Sequence, residues 1–332
     1  MRRKRQLTAL PQAFAAILLS IGLGSCSWLL NDGLPSWLSR EVAQIDLSAK
    51  IASVTGSAMQ YSPTIRAIDS AGRDLVQFQT LSGRSWLFVL DSAGLGFLRS
   101  FDDQLTPSVL RGGMWGVDAG GRLISGDSMG TVALDSALIP QALSLPAAAN
   151  AFYCSEGTTN YRLSPVSGTG IDFAGYDGAW STQTMATLSL PFSTVSTDSW
   201  TVLDFGMSPT GPRLLLEDQT TNACLVLGWP SMAAMVAGSS ILEGAAQKTP
   251  EVPIPYQSLY PGLWLCADGI VVSSQNSDSG TIDLVHIGFD AAQATFTLDR
   301  SWGYTLSFGA ASRYWFIYDE PKGRLMKERP WW

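Results

Sequence analysis

Gly126-Asp127-Ser128-Met129-Gly130 has the G-x-S-x-G spacing that can hold a serine nucleophile on a sharp turn. That chemistry needs a strand before the turn, a helix after it and a histidine to take the serine proton. Residues 131–135 (TVALD) read instead as another strand, and the single histidine, His286, lies far downstream. The five residues are therefore expected to form a hairpin turn, and no residue is assigned as catalytic. One histidine also leaves no cluster with the ligand spacing of catalytic zinc. His286 alternates with Ile282 and Leu284, the pattern of a packed strand residue. Asn276, Asp278 and Asp283 do not complete a helix–loop–helix calcium loop. Asp69, Asp91, Asp118 and Asp319 stand where aspartates cap turns. No metal and no cofactor is expected. Cys154, Cys224 and Cys266 lie in apolar strand contexts without C-x-x-C pairs and read as buried free thiols.

The elements that must position these residues are short strands. Residues 113–135 show the pattern: Trp115 and Val117, a turn at DAGG, the strand RLISGD, a turn at SMG, and the strand TVALD. Apolar runs cut by Gly and Asp every few residues signal antiparallel β-structure. A middle strand recurs near Arg84, Arg122, Asn160, Arg213, Ile270 and Arg313. The mean spacing is about 46 residues, the length of one blade in a radial array of sheets. Arg84-x-Trp86 and Asp91 correspond to Arg313-x-Trp315 and Asp319. With these repeats, most of residues 56–332 resembles the degenerate NHL-type, YVTN-type and quinoprotein-like β-propellers. The resemblance implies an all-β propeller of six four-stranded blades, or seven if a degenerate repeat lies in 136–160 or 180–205. Ring closure would join strands from the two chain ends in one blade. A large β-sandwich or two smaller β-domains is the alternative.

Arg2, Arg3, Lys4 and Arg5 precede an apolar run from Phe14 to Leu23, too short to span a membrane and suited to a signal peptide. The run ends in Leu23-Gly24-Ser25-Cys26, which resembles the lipobox of bacterial lipoproteins. That resemblance implies cleavage after residue 25 and lipidation of Cys26. The domain would then stand outside the cytoplasm, anchored to a membrane of the cell envelope. Residues 26–55 are the tether and lead-in. Within them, 36–45 reads as a short helix with Ser36 as N-cap and Leu38, Val42 and Ile45 on one face. Ile51 to Val54 reads as a strand that could complete a blade. Cleavage would remove four of the 21 Lys and Arg and none of the 28 Asp and Glu, taking the formal charge from −7 to −11. Such a surface is repelled by phosphate backbones, so nucleic acid is not an expected partner. Membrane attachment falls to the acyl chains, about 0.8 kcal/mol per buried methylene.

Residues 231–258 interrupt the repeats with a helix-capable half and a Pro-rich half. Read as an insertion after the outer strand of blade four, the stretch is expected on the face that carries the second-to-third strand loops. Tyr256 and Tyr260 are candidate contacts there, with Glu243, Lys248 and Glu251 as a polar rim. The Trp residues read as blade packing rather than a sugar-stacking platform. The function expected is a non-enzymatic binding or scaffold module for a protein or polymer partner. The alternative is a propeller hydrolase or lyase acting on a sugar or lactone, with carboxylates, sometimes with calcium, at the channel mouth.

Overall fold

The computed structural model describes residues 40–332, except 69–70, 112–113, 144, 146–150, 167–169, 177–182, 190–199, 219–220, 239, 254–261, 277–280, 299–303 and 309–313. Residues 1–39, which include the stretch read as a signal peptide and Cys26, lie outside the described residues.

Each repeat folds as an antiparallel meander. Blade one holds β2 (Thr64–Ile68), β3 (Arg73–Gln79), β4 (Ser85–Asp91) and β5 (Phe97–Asp102). Blade two holds β6 (Trp115–Val117), β7 (Leu123–Asp127), β8 (Gly130–Leu134) and β9 (Pro140–Leu143). Blade three holds β10 (Phe152–Glu156), β11 (Thr159–Val166), β12 (Gly170–Tyr176) and β13 (Gln183–Ser189). Blade four holds β14 (Trp200–Ser208), β15 (Gly211–Asp218) and β16 (Ala223–Gly228), edged by β17 (Gln247–Lys248) and β18 (Val252–Pro253). Blade five holds β19 (Leu263–Cys266), β20 (Gly269–Asn276), β21 (Thr281–Gly288) and β22 (Gln293–Leu298). Blade six holds β23 (Tyr304–Phe308), β24 (Trp315–Asp319) and β25 (Arg324–Glu328), and its fourth strand is β1 (Glu41–Asp46) from the other end of the chain. The first strands touch in the cycle β2, β6, β10, β14, β19, β23 and back to β2, so six blades surround one channel. The fold is a six-bladed β-propeller.

Central strands face a neighbouring blade on both sides, which is why they read as unbroken apolar runs. In β4, Leu87 and Val89 pack with Trp115, Leu123 and Val132 of blade two. Trp86, Phe88 and Leu90 pack the other way, with Phe316 and Leu325 of blade six. Six such clusters fill the six junctions. Each fully buried Val, Leu, Ile or Phe contributes about 1.5–3 kcal/mol. Gly116 lets β6 and β10 approach beside the channel, since a Cβ there would lie 1.7 Å from the Tyr153 carbonyl oxygen.

Four expectations are corrected. The stretch 36–45, read as helix, ends in β1, and residues 51–54, read as strand, fall in α1 (Leu47–Thr55). Glu41 to Asp46 alternates in burial and pairs with β25, while Asp46 caps α1 through the Ala49 N–H at 2.8 Å. Arg84 marks the third strand of its blade, whereas Arg313 precedes the second, so the Arg-x-Trp match joins non-equivalent strands. Residues 231–258 do not follow the outer strand of blade four. They supply it, as β17 and β18, after two short helices.

In a meander, the first-to-second and third-to-fourth turns share one face, here the turn face. The second-to-third turns and blade-to-blade links share the other, the connection face. Residues 229–246 join β16 to β17 and therefore lie on the turn face. Their helices, in chain order after α2 (Pro107–Arg111), are α3 (Met232–Val236) and α4 (Ile241–Gly244). Met232, Met235 and Ile241 bury into the junction of blades three and four. The Glu156 carboxylate, in the first turn region of blade three, accepts from the Met232 N–H at 3.1 Å.

Candidate functional site

Gly126 to Gly130 forms the hairpin between β7 and β8. Asp127 Oδ1 accepts from the Met129 and Gly130 N–H groups at 2.8 and 3.0 Å, and Gly130 takes a φ of +155°. A strand follows, not the helix that a nucleophile elbow requires.

This hairpin shares the connection face with three other loops that carry exposed apolar tips. The four most exposed large apolar side chains among the described residues are Leu105 at 81 %, Met129 at 74 %, and Tyr61 and Leu81 at 66 %. All four sit in connection-face loops of blades one and two. Hydrogen bonds tie those loops together. The Leu81 N–H donates to the Ala58 carbonyl at 2.9 Å, and Gln60 donates to Gln79 at 2.7 Å. Arg84 holds Asp102 at 2.6 Å across from that hairpin. Asp102 Oδ1 also accepts the Gln104 and Leu105 N–H groups, both at 2.9 Å, so this carboxylate props up the Leu105 tip. Burial raises the Asp102 pKa, but these N–H donors and Arg84 outweigh it and hold the group below its ordinary value. Arg111 at the end of α2 pairs with Asp127 at 3.2 Å and lies 3.8 Å from the Met129 sulfur. These loops therefore hold large apolar tips on a braced frame whose nearby charges are paired.

The channel is a second region, a cavity of about 400 Å³ lined by all six first strands. Arg66 of β2 meets Asp204 of β14 at 3.2 Å, and both are about a quarter exposed. Among the described residues lining it, Asp204 is the one carboxylate. No three His, Cys, Asp or Glu side chains group as metal ligands among the described residues.

Three of the residues singled out as a rim and contacts, Glu243, Lys248 and Glu251, fall among the described residues. Glu243 lies on α4, on the turn face. Lys248 of β17 and Glu251 beside it lie at the outer edge of blade four, 3.9 Å apart. Tyr256 and Tyr260 are outside the described residues. His286 is buried as expected, with partners that the sequence did not indicate. Its Nε2 is 3.1 Å from Asp268, and its ring stacks on Trp332 at 4.0 Å. Trp332 also donates to Asp268 at 3.0 Å. Burial pushes the Asp268 pKa up, but His286 and Trp332 outweigh it and hold it low. Cys154, Cys224 and Cys266 are buried and free; burial pushes the Cys224 thiol up to about 12.

No known family matches the sequence, and no curated protein matches it either. Solved structures resemble it in fold. The β-propeller domain of Cps50 (Swd1) from Myceliophteria thermophila aligns at TM-score 0.45 and 9 % identity, over 82 % of this chain and 98 % of that one. Regucalcin from Agrobacterium tumefaciens, a calcium-binding protein, aligns at 0.40 and 12 %, over 82 % and 90 %. BamB from Moraxella catarrhalis aligns at 0.33 and 13 %, over 82 % and 73 %. These scores carry no argument about function, and the propeller assignment rests on the strand order above.

Proposed function

We propose that this chain is a lipid-anchored protein of the bacterial cell envelope whose propeller binds a protein partner, without catalysis, through the row Tyr61, Leu81, Leu105 and Met129. The carrying observation is that, among the described residues, the four most exposed large apolar side chains are confined to one sector of one face. Scattered single apolar residues are normal on any surface, whereas a braced row of them is not. The patch lies over blades one and two rather than beside residues 231–258. A hydrolase or lyase would need convergent carboxylates, and the described channel lining supplies one, already paired with Arg66.

The anchor suits this arrangement. β1 runs from Glu41 on the turn face to Asp46 on the connection face, antiparallel to β25. The first described strand therefore begins on the face opposite the row.

The test is a photo-crosslinking side chain placed singly at Leu105, Leu81, Leu98 and Lys248 of the full chain in its host cells. Positions 105 and 81 should trap the same protein, and Leu98, on the outer strand of blade one, should trap none. Adducts from position 248 alone would return the site to residues 231–258. Adducts from no position on the row would end the proposal. Cys26→Ala should abolish fatty-acid incorporation and membrane partition; labelled variant protein would refute the anchor.

A further inference from the structure

The channel carries a feature that a bracing role does not explain. Arg66 and Asp204 come from blades one and four, which stand opposite each other in the ring. Asp204 reaches the axis through a bulge. In the pairing of β14 with β15, Val202 faces Leu216 and Asp204 faces Leu215, so Leu203 is the extra residue. The bulge reverses the alternation of the strand. Trp200 and Val202 before it, and Phe205 and Met207 after it, all pack toward the junction of blades three and four. Leu203 packs toward blade five. Bulges commonly re-aim a side chain at a functional site.

The pair itself is incompletely satisfied. The Arg66 Nη2 donates to Asp204 Oδ1 at 3.2 Å, and Nη1 lies 3.2 Å from the Met114 sulfur, a weak acceptor. Both hydrogen bonds to Asp204, from Arg66 and from the Phe205 N–H at 2.9 Å, fall on Oδ1. A guanidinium with spare donors takes a carboxylate well. A carboxylate with a spare oxygen takes an ammonium. A quarter-exposed ion pair contributes little stability, which argues against a strut.

We infer that the channel is a binding site for a small zwitterion of the α-amino-acid type with an apolar body. Arg66 holds the carboxylate and Asp204 the ammonium. The body packs against the partly exposed Met207, Trp264 and Leu306 in the 400 Å³ cavity, a volume within the range of small-molecule pockets. Charge balance selects this class. A simple carboxylate would set a second negative charge beside Asp204, and a simple amine a second positive charge beside Arg66. A zwitterion replaces one ion pair with two. The inference is independent of the row on the connection face.

The test is isothermal titration of the full chain with L-phenylalanine, L-leucine, L-phenylalaninamide and N-acetyl-L-phenylalanine. At least one free amino acid should bind, and the amide and the N-acetyl compound should bind at least tenfold more weakly than L-phenylalanine or not at all. Arg66→Gln and Asp204→Asn should each weaken amino-acid binding at least tenfold while melting close to the parent. Variants that fail to fold leave the ligand series on the parent protein to decide. The inference is overturned if neither amino acid binds up to its solubility limit, if an analogue binds as well as the free amino acid, or if a folded Arg66→Gln protein keeps full affinity.

Discussion

Lys327→Met tests how the ring is fastened. Lys327 of β25 is 1 % exposed and Asp74 of β3 is fully buried, so the pair spans the seam between blades six and one. Lys327 Nζ donates to Asp74 Oδ2 at 3.1 Å, to the Ser92 carbonyl at 2.8 Å and to Ser92 Oγ at 2.6 Å. It also lies 4.8 and 5.2 Å from the Tyr314 and Phe316 ring centres. Removing one partner of a buried pair costs about 3–5 kcal/mol, chiefly because the other charge stays buried without its counter-charge. The Ser92 hydroxyl still reaches Asp74 Oδ1 at 3.3 Å, which places the expected loss near the low end, about 3 kcal/mol. Equilibrium urea unfolding at neutral pH should show it as a lower midpoint with an unchanged slope. The pH dependence identifies the cause. Without Lys327, burial raises the folded-state pKa of Asp74 above its unfolded value of about 3.9. The folded state then binds the proton more tightly, so the variant regains stability as pH falls from 7 toward 5. Asp74→Asn in the same protein should recover at least about 1 kcal/mol at neutral pH. A loss under about 1 kcal/mol, or one that is equal at both pH values, would refute the reasoning.

Replacing residues 239–255 with a Gly-Ser linker should destabilise the domain by several kcal/mol in the same urea assay, because it removes β17, β18 and the buried Ile241. A sequence reading of the stretch as an insertion outside the repeats expects the domain to survive that change. Asp102→Asn should cost about 1 kcal/mol at neutral pH and reduce crosslinking from position 105. The Asp102 carboxylate is held low, so its contribution is present above about pH 4 and is lost as pH falls through the folded value; the variant should lack that acid-side decline. Cys154, Cys224 and Cys266 should resist thiol reagents at mildly alkaline pH and label together on unfolding, since burial raises all three thiols.

The blades were legible because their turns are written in local chemistry. Asp118 accepts from the Gly120 N–H at 3.0 Å, and Gly121 takes the φ of +76° that follows. That strands from the two chain ends would share a blade was legible from ring closure, but not which residues pair, because the partner of Glu41 is Glu328 and no local signal links them. Leu38, Val42 and Ile45 fit a helical period equally well until β25 supplies an edge. The outer strand of blade four was missed because β17 and β18 are two residues each, interrupted by Thr249, whose hydroxyl accepts from Val226 at 2.9 Å. Leu105 and Met129 are unremarkable apart, and only the ring brings them into one sector. Asp204 was hidden by its bulge, since reversed alternation within one strand has no residue signature of its own.

The closure of blade six by β1 sets an order on the life of the chain. β1, the first of the described strands, must wait, its edge open, for β25 to arrive. Until then every intermediate exposes two unpaired sheet edges, the form most prone to joining another chain. A nascent chain held at its N-terminus would keep one of those edges beside its point of attachment, away from its neighbours' interiors. Loss of the final strand would therefore leave an open arc with adhesive ends rather than a slightly smaller ring.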